Sequence, residues 1–246
     1  SRRPPRIERR GLVGHEVEAE ACVASPFHDG EKRVQTALGV REEIEPWARR
    51  VVRSFLPDEH AQFYSQLPFL VAAARDRNGR PWATIFAADP GFISAPDDRT
   101  LRITASVPKS DALADAIREG SEIGMLGIEL DSRRRNRVNG RVRTTSSNEV
   151  LVDVDQTFGN CPQHIRPRAW HVEAPNEAKS RGKRSASLSQ EQRRLVESAD
   201  TFFIASGHAG SASTEEGPAP STSQKPNPTH GMDVSHRGGP RGFVEI

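Results

Sequence analysis

The residues best equipped for chemistry lie near the end of the chain, in Asp233-Val234-Ser235-His236-Arg237-Gly238-Gly239-Pro240. A hydroxyl, an imidazole and a guanidinium lead into paired glycines at the end of a strand-like run. Glycines let backbone N–H groups approach an anion, and Ser235, His236 and Arg237 add neutral and charged donors, as phosphate binding requires. The competing reading is a polar turn with a glycine bulge.

A second basic segment is Arg133-Arg134-Arg135-Asn136-Arg137-Val138-Asn139-Gly140-Arg141. Arg141 has a structural role available as the cross-strand partner of Asp153. Arg133 to Arg137 have no such neighbour in the pattern. They read either as a solvated charge run or as ligands for a phosphate, an acidic partner or RNA. In Phe158-Gly159-Asn160-Cys161-Pro162-Gln163-His164-Ile165-Arg166-Pro167-Arg168, Asn160 is placed to cap a short turn with Pro162 near its start. A helix N-terminus there would hold anions and activate Cys161, although a small buried cysteine is the simpler reading. Pro26-Phe27-His28-Asp29-Gly30-Glu31, with Gln35 and Gly39, reads as a turn pinning a loose arm to the domain.

Other chemistries are missing. No H-E-x-x-H, paired C-x-x-C, P-loop or G-x-S-x-G pattern occurs, and the eight histidines lack ligand spacing. His164 and His171, a neighbouring pair in the sequence, read as solvated. The net charge of +2, from 35 Lys+Arg against 33 Asp+Glu, is too small for coating nucleic acid through bulk charge. The apolar run at 67–74 is far short of the roughly 20 residues of a spanning helix. Two cysteines, Cys22 and Cys161, make no disulfide framework and fit a reducing, cytoplasmic setting. No apolar segment follows the arginine-rich start, so no signal peptide is expected. The chain opens at Ser1 without a methionine and stops on strand-like Phe243-Val244-Glu245-Ile246, which reads as a fragment.

Hydrophobic periodicity supplies the elements that must position these residues. Trp47, Val51 and Phe55 at i, i+4, i+8 predict an amphipathic helix from Glu45, and a second helix after Pro57 carries Phe63 and Leu67. Strands are expected at 69–74, 82–88, 92–103 with a break at Pro96-Asp97-Asp98, and 123–130. The Asn78-Gly79 pair favours a hairpin between the first two. A short helix is expected at 111–119, with Ser110 as N-cap, Leu113 and Ile117 inward and Gly120 at its stop. In 137–145, Val138, Val142 and Thr144 share one face, and Arg137, Asn139, Arg141 and Arg143 the other. A three-residue loop, Ser146-Ser147-Asn148, pairs this strand with 149–157 so that Val142 faces Val152 and Arg141 faces Asp153.

A repeat is also visible. Leu56-Pro57-Asp58-Glu59 and Leu188-Ser189-Gln190-Glu191 both open a short helix that runs into an apolar strand, at an offset of 132 residues. Pro90-Gly91-Phe92-Ile93 is answered by Arg241-Gly242-Phe243-Val244 at an offset of 151, and in that frame Thr84 is answered by Ser235. The expected organisation is an N-terminal arm (1–43), a β-unit (44–171), a linker (172–187) and the opening of a second unit (188–246) with a low-complexity insertion (207–230). The half-unit either docks against the first or belongs to a fragment.

These stretches resemble the pyridoxamine 5′-phosphate oxidase-like, flavin-binding split-barrel family. The segments that carry the likeness are Phe27–Glu31, Pro90–Phe92, Arg133–Arg141, Phe158–Arg166 and Ser235–Phe243. The resemblance implies a mainly β, α+β fold: an antiparallel split β-barrel with short helices, here duplicated with the second copy incomplete. It implies FMN at a barrel–barrel interface, and so a dimer or an internal pseudo-dimer. Thr84 and Ser235 would line the flavin phosphate, with Trp82, His236 and Arg237 stacking on the ring or binding phosphate, and Arg135 and Asn139 as further contacts. Some members continue into a ferredoxin-reductase-like module. The oxidase's own substrate-binding arginine and histidine pattern is not found here.

The functional expectation is an FMN-dependent oxidoreductase acting on a small-molecule substrate or electron donor, NAD(P)H or a ferredoxin-type module among them. A flavin carries the electrons itself, which suits a chain with few acid–base signatures. The alternative is a non-catalytic module that holds flavin or haem. A nucleic-acid-binding role for Arg133–Arg137 is disfavoured by the near-neutral charge and the lack of interleaved aromatics.

Overall fold

The computed structural model describes residues 25–171, 185–208 and 230–246. The first 24 positions, with Cys22, and most of the expected linker and insertion lie outside the described residues.

Helix α1 (Asp29–Ala37) occupies what the sequence suggested was a turn. His28 starts it: Nδ1 accepts from the Gly30 N–H at 3.0 Å, while Glu31 Oε2 accepts from the His28 N–H at 2.9 Å. Two donors that a helix start leaves unpaired are thus satisfied reciprocally. Helix α2 (Arg41–Val51) begins four residues before Glu45 and contains Pro46. Its buried residue is Ala48, whereas Trp47, expected inward, is 54% exposed. Helix α3 (Asp58–Ser65) buries Phe63 and Tyr64, and Leu67 follows just beyond it.

Seven strands follow: β1 (Phe69–Arg75), β2 (Pro81–Ala87), β3 (Ile93–Asp97), β4 (Thr100–Ile103), β5 (Glu122–Glu129), β6 (Arg134–Thr145) and β7 (Val150–Gly159). They make one antiparallel sheet in the order β2-β1-β5-β6-β7-β4-β3. Helix α4 (Gln190–Ser198) then leads into a hairpin of β8 (Thr201–His208) and β9 (Gly231–Gly238).

The sheet is covered on both faces around β1 and β5. Leu70, Ala72, Ala74, Ile123 and Met125 join the main core with Phe63, Tyr64 and Leu67 of the α3 region. Val71, Ala73 and Leu126 face the other way, against Met232 and Val234 of β9. Each large apolar side chain so buried stabilises the fold by about 1.5–3 kcal/mol. Two glycines on β5 allow the approach on either side. A Cβ on Gly127 would lie 2.6 Å from the Tyr64 ring, and one on Gly124 would lie 2.5 Å from Asp233 Cα and the Met232 carbonyl oxygen.

The β6–β7 hairpin pairs Val142 with Val152 and Arg141 with Asp153, as the pattern of faces required. The loop, however, is four residues, 146–149, with Thr145 opposite Val150. A bulge at Arg143 absorbs the extra residue and restores the register. A second shift, from Asn139 opposite Gln156 to Gly140 opposite Val154, leaves Asp155 as the extra residue of β7. Gly140 is needed there, because a Cβ would collide with the Asp153 carbonyl oxygen. The bulges also redistribute the ion pairs. Arg143, not Arg141, takes Asp153, and Arg141 reaches Glu122 at 3.5 Å and Asp155 at 3.9 Å.

Two other expectations are corrected. Residues 111–119 form consecutive turns rather than a helix, with Leu113 and Ile117 still buried. Asp111, not Ser110, organises the segment: Oδ1 accepts from the Leu113 N–H at 2.8 Å and Oδ2 from Thr84 Oγ1 at 2.7 Å. The 158–168 segment leaves β7 through a turn at Gln163-His164 with no helix, and Cys161 is exposed rather than buried.

The β1–β2 pairing sets Ala72 opposite Thr84, and the β8–β9 pairing sets Ile204 opposite Ser235. The two hairpins therefore share one register at the offsets of 132 and 151 read from the sequence. The β8–β9 hairpin lies on the first sheet, where β9 crosses β5, β1 and β6 and β8 meets β2.

Candidate functional site

Strand β6 lays Arg135, Arg137, Asn139 and Arg141 along one face at alternate positions, a stripe about 20 Å long at ~3.3 Å per residue. Each meets a specific group. Arg135 Nη1 lies 3.0 Å from His236 Nδ1. Arg137 Nη1 donates to Asp233 Oδ2 at 2.5 Å, and its Nη2 to Ser235 Oγ at 2.9 Å. The Asn139 amide donates to the Asp233 carboxylate. The arginine run is therefore not a free solvated face: Arg134 also pairs with Glu129 at 2.9 Å.

Beside this stripe opens a cavity of about 520 Å³, within the ~300–1,000 Å³ typical of small-molecule and cofactor sites. Arg137, Asn139 and Gly140 of β6 line it with Asp155, Phe158, Gly159 and Asn160 from β7 and its exit. Phe27, His28 and Glu31 close it from the start of α1, Trp47 from α2, and Met232 and Asp233 from β9. Segments that are distant in sequence thus meet at one cavity. Trp47 is exposed because it forms part of this wall. The Arg137 guanidinium sits 5.6 Å from the Phe158 ring centroid. His28 stacks on His208 at 4.1 Å, tying α1 to the end of β8.

Buried polar atoms without partners concentrate here. On the cavity lining Asn139 Oδ1, Asn160 Oδ1 and Asp233 Oδ1 lack donors and Arg137 Nε lacks an acceptor, while Arg135 Nε and His236 Nε2, behind the lining at the β6–β9 contact, also lack acceptors. Leaving such groups unpaired is costly, so a cluster of them marks a place that a polar ligand would satisfy. Among the described residues no group of His, Cys, Asp and Glu is arranged to hold a metal ion.

The electrostatics divide the site. Burial pushes the His236 imidazole down to about 4, and the charges of Arg135, Arg168, His164 and Arg237 reinforce the drop. His236 is therefore neutral at physiological pH and lies in a positive field. Burial pushes the Asp233 carboxyl up, and Arg137 opposes the rise. Burial likewise pushes Asp155 up to about 6.

Of the residues singled out from sequence, Arg135, Asn139, Ser235 and His236 come together at the β6–β9 contact. Arg237 is exposed at the end of β9. Trp82 and Thr84 lie on β2 and do not line the cavity: Trp82 Nε1 donates to Asp76 Oδ2 at 3.1 Å, and Thr84 is held by Asp111. Arg137, Asp233 and Asn160 lay within segments read from sequence as anion-binding without being named as site residues, and Trp47 and Asp155 were not considered for the site. Arg137 and Asp233 carried a signal, since each sits two positions from a chosen residue on its strand. For Asp155 alternation gave the face but not its burial, which the packing of α1, α2 and β9 over that face decides.

A family model described as pyridoxamine 5′-phosphate oxidase matches residues 56–181. No curated protein matches significantly. Among solved structures, a candidate pyridoxamine 5′-phosphate oxidase from Lactobacillus delbrueckii is 16% identical with a TM-score of 0.34, over 43% of this chain and 94% of that one. An FMN-binding protein from Syntrophomonas wolfei is 11% identical with a TM-score of 0.34, over 50% and 96%. An FAD-binding protein from Mycobacterium smegmatis is 14% identical with a TM-score of 0.32, over 44% and 95%. Likeness at that level carries no weight of its own. The assignment rests on the family match, which spans more than half of the chain and takes in α3, the seven-stranded sheet and the whole arginine stripe, and this chain belongs to the pyridoxamine 5′-phosphate oxidase family.

Proposed function

We propose that this chain is an FMN-binding flavoprotein, an oxidoreductase that acts on a small-molecule substrate or electron donor. The observation that carries the reading is the cavity between β6, β7 and β9, where unpartnered buried donors and acceptors converge beside guanidinium groups. A flavin ring presents carbonyl acceptors and an N–H donor, so Asn139, Asn160 and Arg137 suit its polar edge. Trp47, Phe27 and Phe158 offer aromatic surface to its faces. Arg135, with Ser235 and neutral His236 behind the stripe, suits the phosphate. Bound flavin would supply the electron-transfer chemistry, while the protein binds and orients it and limits water access.

In this reading the α4–β8–β9 unit is a partial repeat of α3–β1–β2, and its docking on the first sheet makes an internal pseudo-dimer within a split-barrel architecture. The shared hairpin register supports the repeat. The contact of β9 with β6 supports the docking. The site then draws on both units, including residues beyond the stretch that the family model matches.

Purified protein should be yellow, or bind added FMN with quenching of flavin fluorescence and release it on denaturation. Colourless protein that fails to bind FMN would overturn the reading. The second reading is a non-catalytic module holding flavin or haem, since the family match identifies no catalytic residue. Steady-state oxidation of NAD(P)H with an electron acceptor separates the two, and a haem absorbance band would identify the other ligand.

A further inference from the structure

Asp155 is the extra residue of β7, where Asn139 faces Gln156 but Gly140 faces Val154. The extra residue leaves its carboxyl without a partner directly across the strand. It lies on the face of Arg141 at the wall of the cavity, with its side chain only 15% exposed. The bulge is locked by Gly140, where any side chain would strike the Asp153 carbonyl oxygen. Asp153 itself, two residues earlier, is occupied by Arg143. The fold therefore separates two neighbouring carboxyls, one for the strand and one for the cavity.

The groups around Asp155 do not hold its charge firmly. From β6, Arg141 Nε stands 3.9 Å away, and that guanidinium is shared with Glu122 of β5 at 3.5 Å. Glu122 and Asp153 add negative potential. The other charged or titratable groups lining the cavity are Arg137, Asp233, Glu31, His28, His208 and His230. Burial is the largest influence and raises the carboxyl to about 6, with Arg141 opposing and Asp153 and Glu122 reinforcing. The carboxyl thus faces the cavity from a buried position that favours its protonated form.

We propose that Asp155 is the proton-holding group of this cavity, donating a hydrogen bond to an acceptor atom on a bound flavin when protonated and repelling that edge when ionised. The ligand class rests on the flavin reading above. The acceptor is a carbonyl oxygen or ring nitrogen, which a neutral carboxyl satisfies and a carboxylate does not.

The test is the pH dependence of riboflavin binding by the full chain, followed by fluorescence quenching. Riboflavin is used because a phosphate monoester ionises near pH ~6 itself and would mask the effect. In the unaltered protein the dissociation constant should rise by up to about tenfold per pH unit above the carboxyl's own titration. Asp155→Asn should remove that slope, leaving affinity within about twofold across the range. Asp153→Asn should keep the slope. An Asp155→Asn protein with the unaltered slope overturns the proposal. If no variant binds riboflavin at any pH, the flavin reading fails, and infrared titration of the ligand-free chain then decides the proton-holding role. A protonated-carboxyl band that is missing in Asp155→Asn and titrates above the ordinary carboxylate range supports it. No such band overturns it.

Discussion

Arg137 and Asp233, 96 positions apart, meet at 2.5 Å and tie the central strand of the first sheet to the C-terminal hairpin. The guanidinium also holds Ser235, so one side chain anchors two residues of β9. The pair is partly buried, and removing one partner strands the other. Arg137→Ala should lower the unfolding free energy by about 3 kcal/mol, at the lower end of the range for breaking such pairs. A double-mutant cycle with Asp233→Ala should return a coupling of about 1–3 kcal/mol by denaturant titration. Coupling near zero would mean that the hairpin docks without this contact.

The approach of β9 to β5 gives a steric test. Gly124→Ala places a methyl 2.5 Å from the Asp233 backbone, with no flexible side-chain end to yield. Overpacking of this kind costs about 3 kcal/mol, and it should be expressed as hairpin release rather than global unfolding. Limited proteolysis should cut between 201 and 238 faster in the variant. An unchanged cleavage rate would show the hairpin to be seated elsewhere.

The two shifted groups at the site should oppose each other in stability. His236 is depressed from 6.5 to about 4, so its contribution is complete above 6.5 and is lost as pH falls toward about 4. Asp155 is raised from 3.8 to about 6, so its contribution is complete below 3.8 and is lost as pH rises through about 6. Each shift corresponds to up to roughly 3 kcal/mol. Asp155→Asn should therefore stabilise the protein near neutral pH but not at pH ~4, and His236→Asn should remove acid sensitivity. Thermal melts across that range check both signs.

Arg135 separates phosphate from ring recognition. If the phosphate sits beside it, Arg135→Ala should weaken FMN by about tenfold or more, the loss of one charge-assisted hydrogen bond, and leave riboflavin unchanged. Equal weakening of both ligands would move the phosphate elsewhere.

Tyr64 offers a control remote from the cavity. It is fully buried beneath β5, and its hydroxyl donates to the Asn136 carbonyl oxygen at 2.8 Å. Tyr64→Phe should cost about 1–2 kcal/mol, because the carbonyl loses a buried donor, without changing flavin affinity.

Much of the sheet was legible from residue order alone. Alternating Val138, Val142, Val150, Val152 and Val154 allowed only one set of faces, so the Val142–Val152 register followed from hydrophobic burial. The runs that became β1 and β5 stood out as continuously apolar, and the helix with Phe63 and Leu67 stood out by its spacing. Thr84 and Ser235 were matched in the sequence by an offset, and the two sit at matching hairpin positions. Such features are local: period, propensity and turn chemistry act within a few residues of one another.

The cavity was not local. Trp47 looked like a core residue, because periodicity reports that one face of a helix is apolar and not what that face meets. The arginine run looked unpartnered, because Asp233 and His236 lie about a hundred positions away and arrive only when β9 crosses β6. Asp155 looked like any outward residue of an alternating strand, because nothing in the strand itself says that the outward face is covered by α1, α2 and β9. The sequence by itself determined which strands exist, their faces and the family to which they belong. Only the tertiary structure decided which polar residues share a buried space, because long-range packing of the hairpin on the sheet brings them there.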